Sequence, residues 1–198
     1  EAARLLAAAQ NPVIVVDRAA RTPNGVTLLV QLAELLQAQV NDQGGRMNFP
    51  RTHYLSAPPT AVSNADVIIG MELSDFWATV NSYTDNGENG GIGENAPRIK
   101  PGTKLISICS AELNTKANYQ DFQRMPDLDI SMAADSEATL PALIEACKKL
   151  ITADRKRAFE ERGKKLAKAH QDAQERLRVE ASYAWDASPI SVARMSAE

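Results

Sequence analysis

Residues 11–38 read NPVIVVDRAARTPNGVTLLVQLAELLQA, and two periodicities lie back to back in them. Val13-Ile14-Val15-Val16 is an unbroken β-branched run with no polar alternation. Such a run belongs to a strand covered on both faces, as in a parallel sheet. Thr22-Pro23 then supplies a capping oxygen and a proline suited to the first helical position. Val26, Leu29, Val30, Ala33 and Leu36 recur at helical spacing through to about Ala38, so the segment is a βα unit.

The same grammar continues outward. Val40 marks a short second strand, and Gly44-Gly45-Arg46-Met47-Asn48-Phe49-Pro50 is a loop by its glycines and proline. Asp66–Gly70, Lys104–Cys109 and Leu128–Ala133 read as three further strands. Tyr83–Pro101 reads as a loop rich in Asn, Gly and acid, and a helix is expected from Ser136 or Thr139 to Ile151. Strands alternating with helices predict an α/β fold over residues 1–152: a doubly wound, mainly parallel sheet with helices on both faces, a Rossmann-like three-layer sandwich.

After Ile151 the composition shifts. Residues 154–180 hold nine Lys or Arg and six Asp or Glu, with Phe159, Leu166, Ala173 and Leu177 near one helical stripe. This predicts a long, charged linker helix over 153–185, largely solvated and docked by a narrow seam. Interleaved acids and the absence of alternating aromatics argue against a nucleic-acid surface. Residues 186–198, including Ser188-Pro189-Ile190-Ser191, read as the start of another domain.

Composition bounds the function classes. With 198 residues, 44% hydrophobic and 24% charged, the chain is neither a miniprotein nor disordered, and a chain of this size removes about 70% of its unfolded surface from water. A net charge of -3 gives no global attraction to nucleic acid or an anionic membrane, and no apolar run approaches the roughly 20 residues of a bilayer span. The first residues, Glu-Ala-Ala-Arg-Leu-Leu, carry neither a starting Met nor a signal-peptide pattern, so the chain is expected to be cut from a longer one. Cys109 and Cys147, far apart and in apolar surroundings, are expected to be reduced, buried thiols of a cytoplasmic protein.

Motifs of chemistry are sparse. Gly91-Ile92-Gly93-Glu94-Asn95-Ala96 fits G-x-G-x-x-A, yet Asn and Gly precede it and Pro97 follows, so the required strand and helix N-terminus are missing. Asp85-Asn86-Gly87 opens like a calcium loop but has Ala96 where a bidentate Glu is needed. Of the two histidines, His170 lies on the charged helix and His53 in a loop beyond a predicted strand, with no nucleophile elbow or metal-ligand cluster beside either. No catalytic and no metal-binding residue is assigned. In a doubly wound sheet a ligand sits at the carboxyl ends of the strands. There the chain places Asp17, Arg18, Gly70, Met71, Glu72, Ser110, Ala111 and Asp135. Arg18, Gly70, Glu72 and Ser110 are the candidate nucleotide-binding residues, with Arg18 or Arg21 facing a phosphate. The plain structural alternative is that all of these end strands and cap helices.

The order of these segments resembles the central domain of thiamine-diphosphate-dependent enzymes, the benzoylformate decarboxylase and acetolactate synthase superfamily. The resemblance rests on Ala9–Val16 as first strand, Phe49-Pro50-Arg51-Thr52-His53 in the second crevice loop, and Ala65–Gly70 as third strand. It continues through Lys100–Ile108 and Ile130–Asp135, covering about Ala2 to Ile151. It implies a DHS-like NAD/FAD-binding fold and a parent lyase or transferase acting on a 2-oxo acid or related substrate. In that parent, thiamine diphosphate and Mg2+ would be bound by N- and C-terminal domains absent from this chain.

This chain would then be a non-catalytic spacer that stabilises a homo-oligomer, with His53 or Phe49 touching the entrance. Some members hold ADP or FAD in the central domain. Met71-Glu72-Leu73-Ser74-Asp75-Phe76 departs from the arginine-rich flavin pattern, and Ile108–Glu112 lacks the paired aspartates common after that strand. The alternative is an independent ADP- or FAD-binding module; a sirtuin-like deacylase lacks its zinc cysteines.

Overall fold

In the computed structural model, which describes residues 1–83, 95–111 and 125–197, the chain runs in one order of helices and strands. The elements are α1 (Ala2–Ala8), β1 (Pro12–Val16), α2 (Pro23–Leu36), β2 (Gln39–Asp42), a 3-10 helix (Pro59–Asn64), β3 (Val67–Met71), α3 (Phe76–Val80), β4 (Asn81–Tyr83), β5 (Asn95–Pro97), β6 (Lys104–Ile108), β7 (Ile130–Met132), α4 (Ser136–Leu150), α5 (Ala153–Ser182) and α6 (Val192–Ala197). Five strands form one parallel sheet in the order β2-β1-β3-β6-β7, with Ile14 beside Ile69 and Ile69 beside Ile106. The order reverses between β1 and β3, the switch point of a doubly wound sheet.

Strand parity divides the core. Ile14, Val16, Ile69, Met71, Ile106 and Ile108 pack with Leu29, Leu32 and Leu36 of α2, Leu140 and Ile144 of α4, and Phe159 of α5. Val13, Val15, Ile68 and Leu105 pack on the opposite face with Val62 of the 3-10 helix and Phe76 and Val80 of α3. Each such side chain, fully buried, contributes about 1.5–3 kcal/mol over its exposed state. Helices therefore cover both faces as the sequence implies, but unequally. The second face carries only a 3-10 helix and a five-residue helix among the described residues.

The caps explain the boundaries. Thr22 caps α2, its hydroxyl accepting from the Gly25 N–H at 3.2 Å, with Pro23 just inside the helix. Gln37 ends it in the left-handed region at φ 47. Asp135 caps α4 through the Ala138 N–H at 3.0 Å. Asp66 accepts from the Gln10 and Asn11 N–H groups at 2.6 and 2.8 Å, pinning the turn into β1.

Two expectations need correction. The Tyr83–Pro101 loop contains strand at both edges, where Asn81–Tyr83 pairs antiparallel with Asn95–Pro97. The calcium-like stretch and most of the Gly91–Ala96 motif lie outside the described residues. The seam of the long helix is also shorter than its apolar stripe: Phe159 is buried and Leu166 half-buried, but Leu177 is 58% exposed.

Arginines complete the docking of α5. Arg155 donates to the carbonyls of Ala7 and Ala9 at 2.8 and 3.0 Å, and Arg162 to those of Gln10 at 2.6 Å, Gln37 at 3.0 Å and Leu36. Both guanidinium groups lie over the Phe159 ring. The carbonyls left open at the ends of α1 and α2 thus receive cations from α5, a pairing the helix dipole favours.

Candidate functional site

At the carboxyl end of the sheet, loops from β1, β2, β3 and β6 meet the N-termini of α2 and α4. Asn48, fully buried, ties the first two together: its Oδ1 accepts from the Ala20 N–H at 2.9 Å, and its Nδ2 donates to the Asp17 carbonyl and to Asp42 Oδ1. Asp42 in turn accepts from the Gly44, Asn48 and Phe49 N–H groups at 2.8–3.1 Å. These bonds fix the path from Asp17 to Thr22 before any ligand arrives.

Glu72 is the centre of the next layer. It is 7% exposed and sits in the left-handed region at φ 50, a conformation that costs a non-glycine residue about 1 kcal/mol or more. That turn aims the carboxylate at three elements. Its Oε2 accepts from the Ser110 N–H at 3.1 Å and the Ser110 hydroxyl at 2.8 Å, and its Oε1 accepts from the Ser136 N–H at 3.1 Å, in the first turn of α4. Cys109 Sγ lies 3.8 Å from the same Oε2.

A second carboxylate repeats the arrangement on α2. Glu137 of α4 accepts from the Arg21 N–H at 2.6 Å, the Thr22 N–H at 3.1 Å and the Thr22 hydroxyl. The Thr22 hydroxyl bond is the main cause holding the Glu137 carboxyl below the usual range, and the backbone N–H bonds add to it. Between the two carboxylates lies Arg21, bonded to Asp135 at 2.8 Å, 3.4 Å from the Ser110 hydroxyl and 3.7 Å from Glu72. Beside it an open groove of about 460 Å³ is lined by Arg21, Thr22, Asn24, Leu28, Asp135 and Glu137.

Of the four crevice residues named from sequence, Glu72 and Ser110 are brought into direct contact. Arg18 follows β1 on the exposed surface, and the cation that reaches Asp135 and Glu72 is Arg21, also exposed. Gly70 lies inside β3, and a Cβ there would sit 2.7 Å from Leu73 Cδ1 and 3.1 Å from Phe76 Cε1. Its smallness serves the packing of the following turn. Glu137 and Asn48 are the residues the sequence reading passed over. An acid in the first turn of a helix is a legible signal for Glu137, whereas nothing local distinguishes Asn48 from any loop asparagine.

His53 lies away from this end. Its Nε2 is 3.2 Å from Glu34, near the carboxyl end of α2, and its Nδ1 accepts from the Leu55 N–H at 3.2 Å. Thr22 starts α2 at the crevice and Glu34 lies eleven residues beyond Pro23. At 1.5 Å per residue that is about 17 Å along the helix from its start. His53 also stacks on Tyr54 and meets Phe49 edge-on. Among the described residues no three His, Cys, Asp or Glu side chains converge in a way that would hold a metal ion.

Comparison with known proteins places this architecture. Solved structures similar to it include a protein from Mycobacterium smegmatis described as a thiamin diphosphate-dependent enzyme, at TM-score 0.54 and 22% identity over 77% of this chain. The fold is that of a domain of thiamin diphosphate-dependent enzymes. Two others are the thiamine diphosphate-dependent 4-hydroxybenzoylformate decarboxylase of Rhodococcus jostii RHA1, at TM-score 0.51 and 19% identity over 73% of the chain, and the benzoylformate decarboxylase of Polynucleobacter necessarius, at TM-score 0.52 and 16% identity over 75%. The chain spans only 26–27% of the length of each of these structures. No family model and no curated protein matches it. No helix among the described residues is long and apolar enough to cross a membrane.

Proposed function

We propose that this chain is the central domain of a larger, cytoplasmic thiamine-diphosphate-dependent enzyme that acts on a 2-oxo acid or a related substrate. The observation that carries the reading is the pattern of coverage: three-quarters of the chain matches about a quarter of each of several such enzymes. In this reading residues 1–152 are the domain, 153–185 the linker helix and 186–198 the start of the next domain. Thiamine diphosphate, and the Mg2+ that would accompany it, belong to the flanking domains, since the polar groups at the strand ends here bond one another. When bound, the cofactor would supply addition to a carbonyl and stabilisation of the resulting carbanion.

The part assigned to this chain is spacing. A sheet buried on both faces, with α5 locked to α1 and α2 by Arg155 and Arg162, is a rigid body able to hold two other domains at a fixed separation and to support a homo-oligomer. The alternative is an independent ADP- or FAD-binding module. Calorimetry on the 198-residue chain and on the polypeptide encoded by its whole gene separates the two. The proposal expects the chain to be silent toward thiamine diphosphate, Mg2+, ADP and FAD, and the whole polypeptide to bind thiamine diphosphate and cleave a 2-oxo acid. Turnover by the chain alone, or saturable micromolar binding of ADP or FAD to it, would count against the proposal.

A further inference from the structure

The parts of an anion site are all present at the switch point: two helix N-termini, a hydroxyl pair and an arginine. A nucleotide diphosphate in this crevice would draw on the N–H groups of Ser110 and Ser136, those of Arg21 and Thr22, and the Arg21 guanidinium. Each of the backbone donors is already taken by a carboxylate, and the Arg21 guanidinium, 44% exposed, is paired with one. Glu72 holds Ser110 and Ser136, Glu137 holds Arg21 and Thr22, and Asp135 holds the Arg21 side chain.

We infer that the crevice is closed from within, with Glu72 and Glu137 as built-in anions standing where the phosphates of a nucleotide would stand. The residues present therefore do not fit ADP or FAD. Three observations carry this. The Glu72 carboxylate lies among the ends of β3 and β6 and the start of α4, so a phosphate there would meet a buried like charge before it met a donor. Glu72 is held in a left-handed conformation where glycine would be unstrained, so the chain spends backbone energy to aim that side chain. The two carboxylates flank one arginine, leaving the local balance of Glu72, Glu137, Asp135 and Arg21 negative. The proposal is independent of whether the chain belongs to a larger enzyme.

The experiment removes the surrogates and offers the real anion. Glu72→Gly deletes one carboxylate and relieves the positive φ, and Glu137→Ala frees the start of α2. The double variant and the unaltered chain are titrated calorimetrically with inorganic pyrophosphate and with ADP. An exposed pair, Glu145→Gln with Glu160→Gln, controls for the same change in net charge. Pyrophosphate affinity is expected to rise at least about tenfold, the effect of roughly one recovered charge-assisted bond, in the crevice variant alone. Equal gains in the control variant would overturn the inference, as would saturable micromolar ADP binding by the unaltered chain or no gain in a folded crevice variant. If circular dichroism shows that variant unfolded, the single variants Glu72→Gly and Glu137→Ala take its place under the same criteria, each against Glu145→Gln alone.

Discussion

Replacing Arg162 with alanine tests how the long helix is fastened. Its guanidinium reaches three carbonyls, those of Gln10, Leu36 and Gln37, and lies 4.7 Å above the Phe159 ring. Leu36 is fully buried, so its orphaned carbonyl would cost about 1–3 kcal/mol, whereas Gln10 is exposed and water can replace its bond. Loss of the cation over the ring adds about 0.5–2 kcal/mol. The sum for Arg162→Ala is about 1.5–5 kcal/mol, which for a chain of this length lowers Tm by roughly 3–20 °C. Urea unfolding followed by circular dichroism measures it. Arg162→Lys, which can satisfy one carbonyl at a time, should recover less than half. A loss below about 0.5 kcal/mol, the level of an ordinary surface substitution, would refute the claim that arginine caps hold the helix.

Other outcomes follow from the same geometry. Gly70→Val should destabilise the fold by about 1–3 kcal/mol, because even its Cβ lies 2.7 Å from Leu73 Cδ1; a urea midpoint near the unaltered value would contradict the packing described. Burial pushes the Cys147 thiol up to about 11, so native protein near pH 8 should leave it unlabelled by a thiol reagent and denatured protein should not. Glu137 and Asp129 have carboxyls held below the usual range, the first chiefly by the Thr22 hydroxyl and the second chiefly by Lys104. Their contribution to stability is therefore present above the unfolded carboxylate range near pH 4 and is lost as pH falls through the lower folded values. Glu137→Gln should flatten that part of the stability profile, read from urea midpoints between pH 6 and 3.

Much of the architecture was legible because burial on two faces leaves a local trace. Val13–Val16 and Val67–Ile69 are unbroken apolar runs, and Thr22-Pro23 announces a helix by capping chemistry confined to neighbouring residues. The five-residue helix Phe76–Val80 left no such trace, since one turn is too short for a period. Crevice residues were legible by type and position, as with Glu72 and Ser110. Their meaning was not, because a carboxylate that fills an anion site and one that merely ends a strand look alike in sequence. Only the bonds to Ser110, 38 residues away, and Ser136, 64 residues away, separate the two. Arg155 and Arg162 were read as part of a solvated charge run for the same reason: their partners lie more than 120 residues back along the chain.

In the function proposed, this domain is one part of a longer thiamine-diphosphate-dependent polypeptide. At 77% of 198 residues, the matched portion is about 152 residues, and as 27% of the Mycobacterium smegmatis chain it makes that chain about 565 residues long. Intact mass of the protein isolated from its natural source tests this most directly. A mass close to three times the 21.5 kDa of this chain is expected; a mature protein of 21.5 kDa from a reading frame that opens just before Glu1 and stops at Glu198 would contradict the claim.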